Sequence, residues 1–236
     1  MRKVLLHFVL LVLVSAVLFG KDEGTILRWT EGLPGCTFGA GDDGLYRYGV
    51  WTDDFGIILA VDADELRKAR SRTEPTFAVL LTVRYRGNQS VTVNPDAVTL
   101  EYVKHDHDKH AALTPADLSA RLQKDVDSFS AQLESEIKKH PERKTQEEAI
   151  LQDRQKSIAS MIEFLRTQSL TATQMNPTHS EVSGWVFFAA SGKWIGEWKK
   201  QEEFVLRIRL ANRTIEFPFA LPPSQGDVLL RKRPND

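Results

Sequence analysis

Phe77-Ala78-Val79-Leu80-Leu81-Thr82-Val83-Arg84-Tyr85 is the stretch that decides the fold. Phe77, Val79, Leu81, Val83 and Tyr85 alternate onto one face, and Arg86-Gly87-Asn88-Gln89-Ser90 then turns the chain. An apolar period of two marks a strand with one buried and one wetter face, as in an antiparallel sheet or sandwich. Just downstream, Val91-Thr92-Val93 continues the pattern, Asn94-Pro95-Asp96 breaks it, and Val98, Leu100 and Tyr102 alternate again.

The same signal recurs on both sides. Towards the N-terminus, Ile26 to Trp29 is a short strand and Gly32-Leu33-Pro34-Gly35 a loop. Leu45 to Trp51 and Gly56 to Val61 flank a turn at Thr52 to Phe55, and Ala63 to Arg72 is a charged, helix-permissive connector. Towards the C-terminus, Val182 to Ala189, Phe204 to Leu210 and Ile215 to Leu221 read as strands. Pro218 removes a backbone donor from the last of these, which predicts an edge position.

Residues 114–170 differ in kind, holding no tryptophan and no glycine. Thr114 is a helix N-cap with Pro115 at the first helical position. Leu118, Leu122, Val126, Phe129, Leu133 and Ile137 follow at spacings of three and four, a single apolar stripe. His140-Pro141 ends that helix, because the residue before a proline avoids the helical region. A second helix is predicted from Thr145 to Ser169, with Leu151, Ile158, Met161, Ile162 and Leu165 on its apolar face. Two such helices joined by a few residues make an antiparallel hairpin. The flanking strands are too few on either side to close a sandwich alone. The chain therefore reads as one β-rich domain over 24–222, α+β by content, interrupted by a helical hairpin at 114–170.

The 236 residues carry 31 Lys+Arg against 32 Asp+Glu, a balance that gives no sign of a nucleic-acid partner. A single cysteine, Cys36, excludes an intramolecular disulfide and any multi-cysteine metal site. It reads as a small buried apolar residue in a glycine-rich turn region. Arg2 and Lys3 precede an apolar run from Val4 to Phe19, and Val14-Ser15-Ala16 fits a cleavage site. Residues 1–20 are thus expected to be a signal peptide or an N-terminal anchor, placing the protein outside the cytoplasm, in the periplasm or beyond. Pro222-Pro223 and Arg231-Lys232-Arg233 suggest a flexible basic tail over 223–236.

The run from Phe77 to Pro95, the Pro95-to-Leu100 segment and Gly184-Trp185-Val186-Phe187 before a final hairpin resemble exported bacterial immunoglobulin-like domains of unknown function. The resemblance covers 75–103 and 182–221 and skips the helical insert. It implies an antiparallel immunoglobulin-like β-sandwich acting as a binding or structural module, and it brings no catalytic residues.

The chain has no phosphate-binding Gly-x-x-x-x-Gly-Lys-Ser/Thr, Gly-x-Ser-x-Gly, His-Glu-x-x-His or Cys-x-x-Cys motif. One cluster remains, Lys104-His105-Asp106-His107-Asp108-Lys109-His110, with half of the six histidines. On an extended strand His105 and His107 would share one face and Asp106, Asp108 and His110 the other, each set being part of an N/O site for a divalent transition metal. The competing reading is a solvated connector. Trp194 and Trp198, near Lys193, Lys199 and Lys200, either form a contact patch or cap the core. The stripe from Leu118 to Ile137 likewise packs on the sandwich or recruits a partner. The expectation is a non-enzymatic binding or scaffolding module of the cell envelope, contacting another envelope protein or a second copy through the hairpin, with no cofactor. Metal binding by His105, His107 and His110 is the alternative.

Overall fold

The computed structural model describes residues 25–191, 193–194 and 201–222. The readings made for 1–20 and 223–236, and for Trp198, lie outside these residues. Twelve strands are named here in chain order: β1 (Thr25–Arg28), β2 (Cys36–Ala40), β3 (Leu45–Trp51), β4 (Phe55–Asp62), β5 (Thr76–Tyr85), β6 (Val91–Val93), β7 (Val98–Tyr102), β8 (Asp108–Leu113), β9 (Thr173–Met175), β10 (Glu181–Ala189), β11 (Glu202–Leu210) and β12 (Arg213–Leu221). Three helices join them: α1 (Glu65–Ser71), α2 (Pro115–Lys139) and α3 (Lys144–Gln168).

Ten strands form one curled mixed sheet in the order β1-β12-β11-β7-β8-β10-β5-β4-β3-β2, while β6 and β9 pair separately. Every pairing in the large sheet is antiparallel except that of β1 with β12. The sheet curls into a half-barrel whose two halves face each other across the core. Phe77 of β5 lies 4.7 Å from Phe204 of β11, and Tyr48 of β3 lies 5.9 Å from Phe219 of β12 (ring centroids). Alternation on β5 sends Phe77, Val79, Leu81 and Val83 into this core, all fully buried. The wetter face of β5 and β10 is not left to solvent. Ala78 and Phe187 point outward from it and are buried under the helices with Leu118, Leu122, Val126, Ile158 and Leu165.

One strand joins the halves. β8 pairs with β7 through residues 108–111 and then with β10 through Ala112↔Phe188 and Leu113↔Phe187. Its polar start, Asp108-Lys109-His110, hides it from a search for alternating apolar residues. β2 carries Cys36, half-buried and paired with Val50, so the glycine-rich stretch predicted as a turn region is an edge strand at that point. Pro218 also corrects an expectation, since β12 lies between β11 and β1 and is not an edge strand. The proline is tolerated because the four-residue register with β1 ends at Arg28↔Glu216, short of position 218.

The helical insert begins as its cap residues dictate. Thr114 Oγ1 accepts the backbone N–H of Asp117 at 3.0 Å, and Pro115 occupies the first turn. α3 then folds back along α2, with Arg154 ion-paired to Asp125 and its guanidinium 4.4 Å from the centre of the Phe129 ring. The insert leaves and rejoins the sheet on one edge of β10. It departs after Leu113, paired with Phe187, and returns at Ser169, bridged to Trp185.

Candidate functional site

The histidine run is not extended. Backbone bonds from His105 N–H to the Tyr102 carbonyl (3.1 Å) and from Asp108 N–H to the His105 carbonyl (3.0 Å) close a tight turn between β7 and β8. Asp106 and His107 take the left-handed conformation (φ 54° and 56°), uncommon for residues other than glycine. The two-faced arrangement drawn for a strand therefore does not form. Each histidine goes to a different carboxylate: His107 Nδ1 to Glu101 Oε1 at 2.6 Å, His110 Nε2 to Asp108 Oδ2 at 3.1 Å, and His105 Nε2 towards Glu202 Oε2 at 3.3 Å. Among the described residues no group of three or more His, Cys, Asp or Glu side chains converges as a metal site.

Trp194 organises this corner. Its indole stacks on His105 at 4.8 Å and 22°, meets His110 edge-on at 5.6 Å, and lies tilted at 45° against Tyr102 at 4.7 Å. The reading of Trp194 as a cap on the core fits this packing, since Tyr102 is fully buried within the main core. Outside it the turn forms the wall of an open cleft of about 770 Å³, lined by residues 104–109 with Lys193 and Trp194.

The outer face of β7, β11, β12 and β1 carries a line of alternating charge. Arg28 pairs with Glu216, Glu216 with Arg207, and Arg207 with Glu101, which also holds His107. Burial raises the Glu101 pKa, yet the hydrogen bonds from His107 and Arg207 outweigh it and hold the group below the ordinary carboxylate value of 4.5. All four carboxylate and guanidinium groups are engaged within the row, which makes it a brace across strands.

A third place lies between α1 and the hairpin. Ala78, Trp185 and Phe187 of the outer sheet face form the floor of a groove of about 410 Å³, and Met161 and Phe164 form one wall. Phe164 is 37% exposed, so this wall is open to solvent. Opposite stand Lys68 and Arg72. Glu65, 1% exposed, receives the Arg72 guanidinium through both oxygens and the backbone N–H of Ala78. Burial pushes the Glu65 pKa above 4.5 in spite of Arg72. An apolar floor with a few fixed polar groups is the usual composition of a binding groove.

The structure places the predicted contact stripe partly inside the molecule. Leu118, Leu122 and Val126 belong to the cluster on the sheet, whereas Phe129, Leu133 and Ile137 lie outside it, further out along α2. Glu202 and Glu65 escaped sequence reading, although the first carried a signal. Glu202 has the parity of Phe204, Leu206 and Ile208 on β11, so strict alternation aims its carboxylate inward. No family model matches the chain, and no curated protein or solved structure matches it either.

Proposed function

We propose that this chain is an exported, non-enzymatic binding or scaffolding module of the cell envelope, which makes protein–protein contacts through its helical hairpin. One observation carries the reading. The hairpin is docked on the sheet only by its root, through Leu118, Leu122, Val126, Ile158 and Leu165, while its outer half has no member in that cluster. Each helix has 25 residues, about 37 Å at 1.5 Å per residue, so a substantial length of arm extends past the docked turns. Ile150 on that outer half is 44% exposed, and Phe164 on the groove wall adds a second apolar contact point.

The finer fold reading belongs to the same proposal. Facing antiparallel halves packed through aromatic side chains support an immunoglobulin-like arrangement, to which the parallel β1 and the seam strand β8 are additions. Export rests on the sequence of residues 1–20. Among the described residues no helix is long and apolar enough to cross a membrane.

Photo-crosslinking residues placed at positions 150 and 164 should give one defined adduct in envelope preparations, and a third at Arg209 on the sheet should give none. Adducts spread evenly over all three positions, or absent from the first two, would reject the hairpin as the contact element.

A further inference from the structure

We infer that His105 and Glu202 together bind a divalent transition metal ion, reached from the cleft that His105 lines beside Trp194. This inference is independent of the hairpin reading, and it differs from a trio of histidines read along the sequence. Its second ligand comes from a strand nearly a hundred residues away.

The motivating observation is an unsatisfied carboxylate oxygen. Among the described residues Glu202 Oε2 is buried without a hydrogen-bond partner, on a side chain only 8% exposed. Such an atom carries a desolvation cost unless a cation or donor reaches it. Among the described residues its ion-pair partner is His105 Nε2, 3.3 Å away without hydrogen-bond geometry. That spacing has a meaning of its own. Two donors each ~2.0–2.2 Å from a tetrahedral ion stand about 3.3–3.5 Å apart. The pair is therefore already spaced as one edge of a coordination tetrahedron.

Both donors are held in place before any ion arrives. Trp194 stacks on the imidazole, the closed turn fixes the backbone of His105, and Lys104 Nζ donates to the Gln201 carbonyl, tying the turn to the residue before Glu202. Imidazole nitrogen with a carboxylate oxygen suits Zn²⁺ or Cu²⁺, whereas Ca²⁺ and Mg²⁺ call for oxygen ligands. The cleft lining contains lysines, but Lys104 lies 3.4 Å from Glu203 and Lys109 lies 3.9 Å from Glu101, which offsets their charge. With two protein ligands, the other positions fall to water or to a ligand entering the cleft.

The test uses the exported chain, stripped with a chelator and titrated with Zn²⁺ in a calorimeter. One equivalent should bind. Affinity should fall at least as far as the ~10–100-fold typical of losing a supporting partner in Glu202→Gln and in His105→Gln, and stay unchanged in His107→Ala and His110→Ala. Cu²⁺ on the unaltered protein supplies a readout that needs no variant, because its electron paramagnetic resonance spectrum counts coordinated nitrogens. A single imidazole nitrogen is expected. Two or three nitrogens, affinity lost in His107→Ala or His110→Ala but kept in Glu202→Gln, or no Zn²⁺ binding at all, would each overturn the assignment.

Discussion

Leu170 crosses directly over Gly184. The backbone N–H of Leu170 donates to the Trp185 carbonyl at 2.9 Å, and a β-carbon built on Gly184 would collide with the Leu170 backbone. Glycine at this position is what lets the returning chain lie against β10.

Gly184→Ala should accordingly loosen the root of the hairpin. The atoms it would meet, in Leu170 and Ser169, belong to the backbone and cannot swing aside, so a cost of about 1–3 kcal/mol is expected. Gly39→Ala, where a β-carbon meets nothing, is the control and should leave the melting temperature nearly unchanged. Equal melting temperatures for the two variants would contradict the close crossing.

Leu122→Ala and Leu133→Ala separate root from arm. Leu122 sits in the cluster with Ala78 and Phe187, so its truncation should lower the stability of the whole domain by ~2–5 kcal/mol. Leu133 is buried but lies outside that cluster. Its truncation should raise hydrogen exchange in the outer half of α2 and α3 and move the global melt much less. A Leu133→Ala variant as damaged globally as Leu122→Ala would show that the arm and the sheet unfold as one unit.

Arg72→Ala would leave the Glu65 carboxylate buried without its cation, and a broken buried pair costs about 3–5 kcal/mol. The double change Glu65→Gln with Arg72→Ala should recover part of that loss. The sign with pH follows from the raised pKa of Glu65. Its protonated form is favoured in the fold, so its own contribution to stability is complete below pH 4.5 and declines as pH rises through the folded value. Urea melts of Arg72→Ala at pH 4 and pH 7 should show the smaller loss at pH 4.

Glu101 has the opposite sign. Its pKa is lowered in the fold, so the stability it adds is present above pH 4.5 and disappears as pH falls through the folded value. Glu101→Gln should destabilise the protein at pH 7, and the difference from the unaltered chain should shrink on acidification. A difference that is flat from pH 7 to pH 3 would remove Glu101 from the charge row.

What was legible in the sequence followed from local rules. The alternation in Phe77 to Tyr85 and the stripe from Leu118 to Leu133 named their elements, because periodicity depends only on neighbouring residues. Thr114 and Pro141 marked the helix limits for the same reason. What stayed hidden depended on tertiary partners. Nothing in Asp108-Lys109-His110 announces that β8 will join two halves of a sheet, and β1 pairs in parallel with a strand nearly two hundred residues away. The histidine run misled because its spacing assumed extended backbone, while Asp106 and His107 turn left-handed. Glu202 was within reach of alternation, yet a charged residue at a strand start is easily assigned to the loop before it.

The strand edge where the hairpin is rooted also determines how a mechanical load would travel. Both chain segments that emerge from the arm land on β10, at Phe187 and at Trp185, two positions apart. Once the packing of Leu118, Leu122 and Leu165 on Ala78 and Phe187 gives way, a tug on the distal tip would enter the sheet at this seam. There only Ala112↔Phe188 and Leu113↔Phe187 tie β8 to β10, whereas on its other flank β10 is laced to β5 over nine pairs. Within the sheet, traction would thus unzip the short seam first and part the two halves of the half-barrel along a predetermined line.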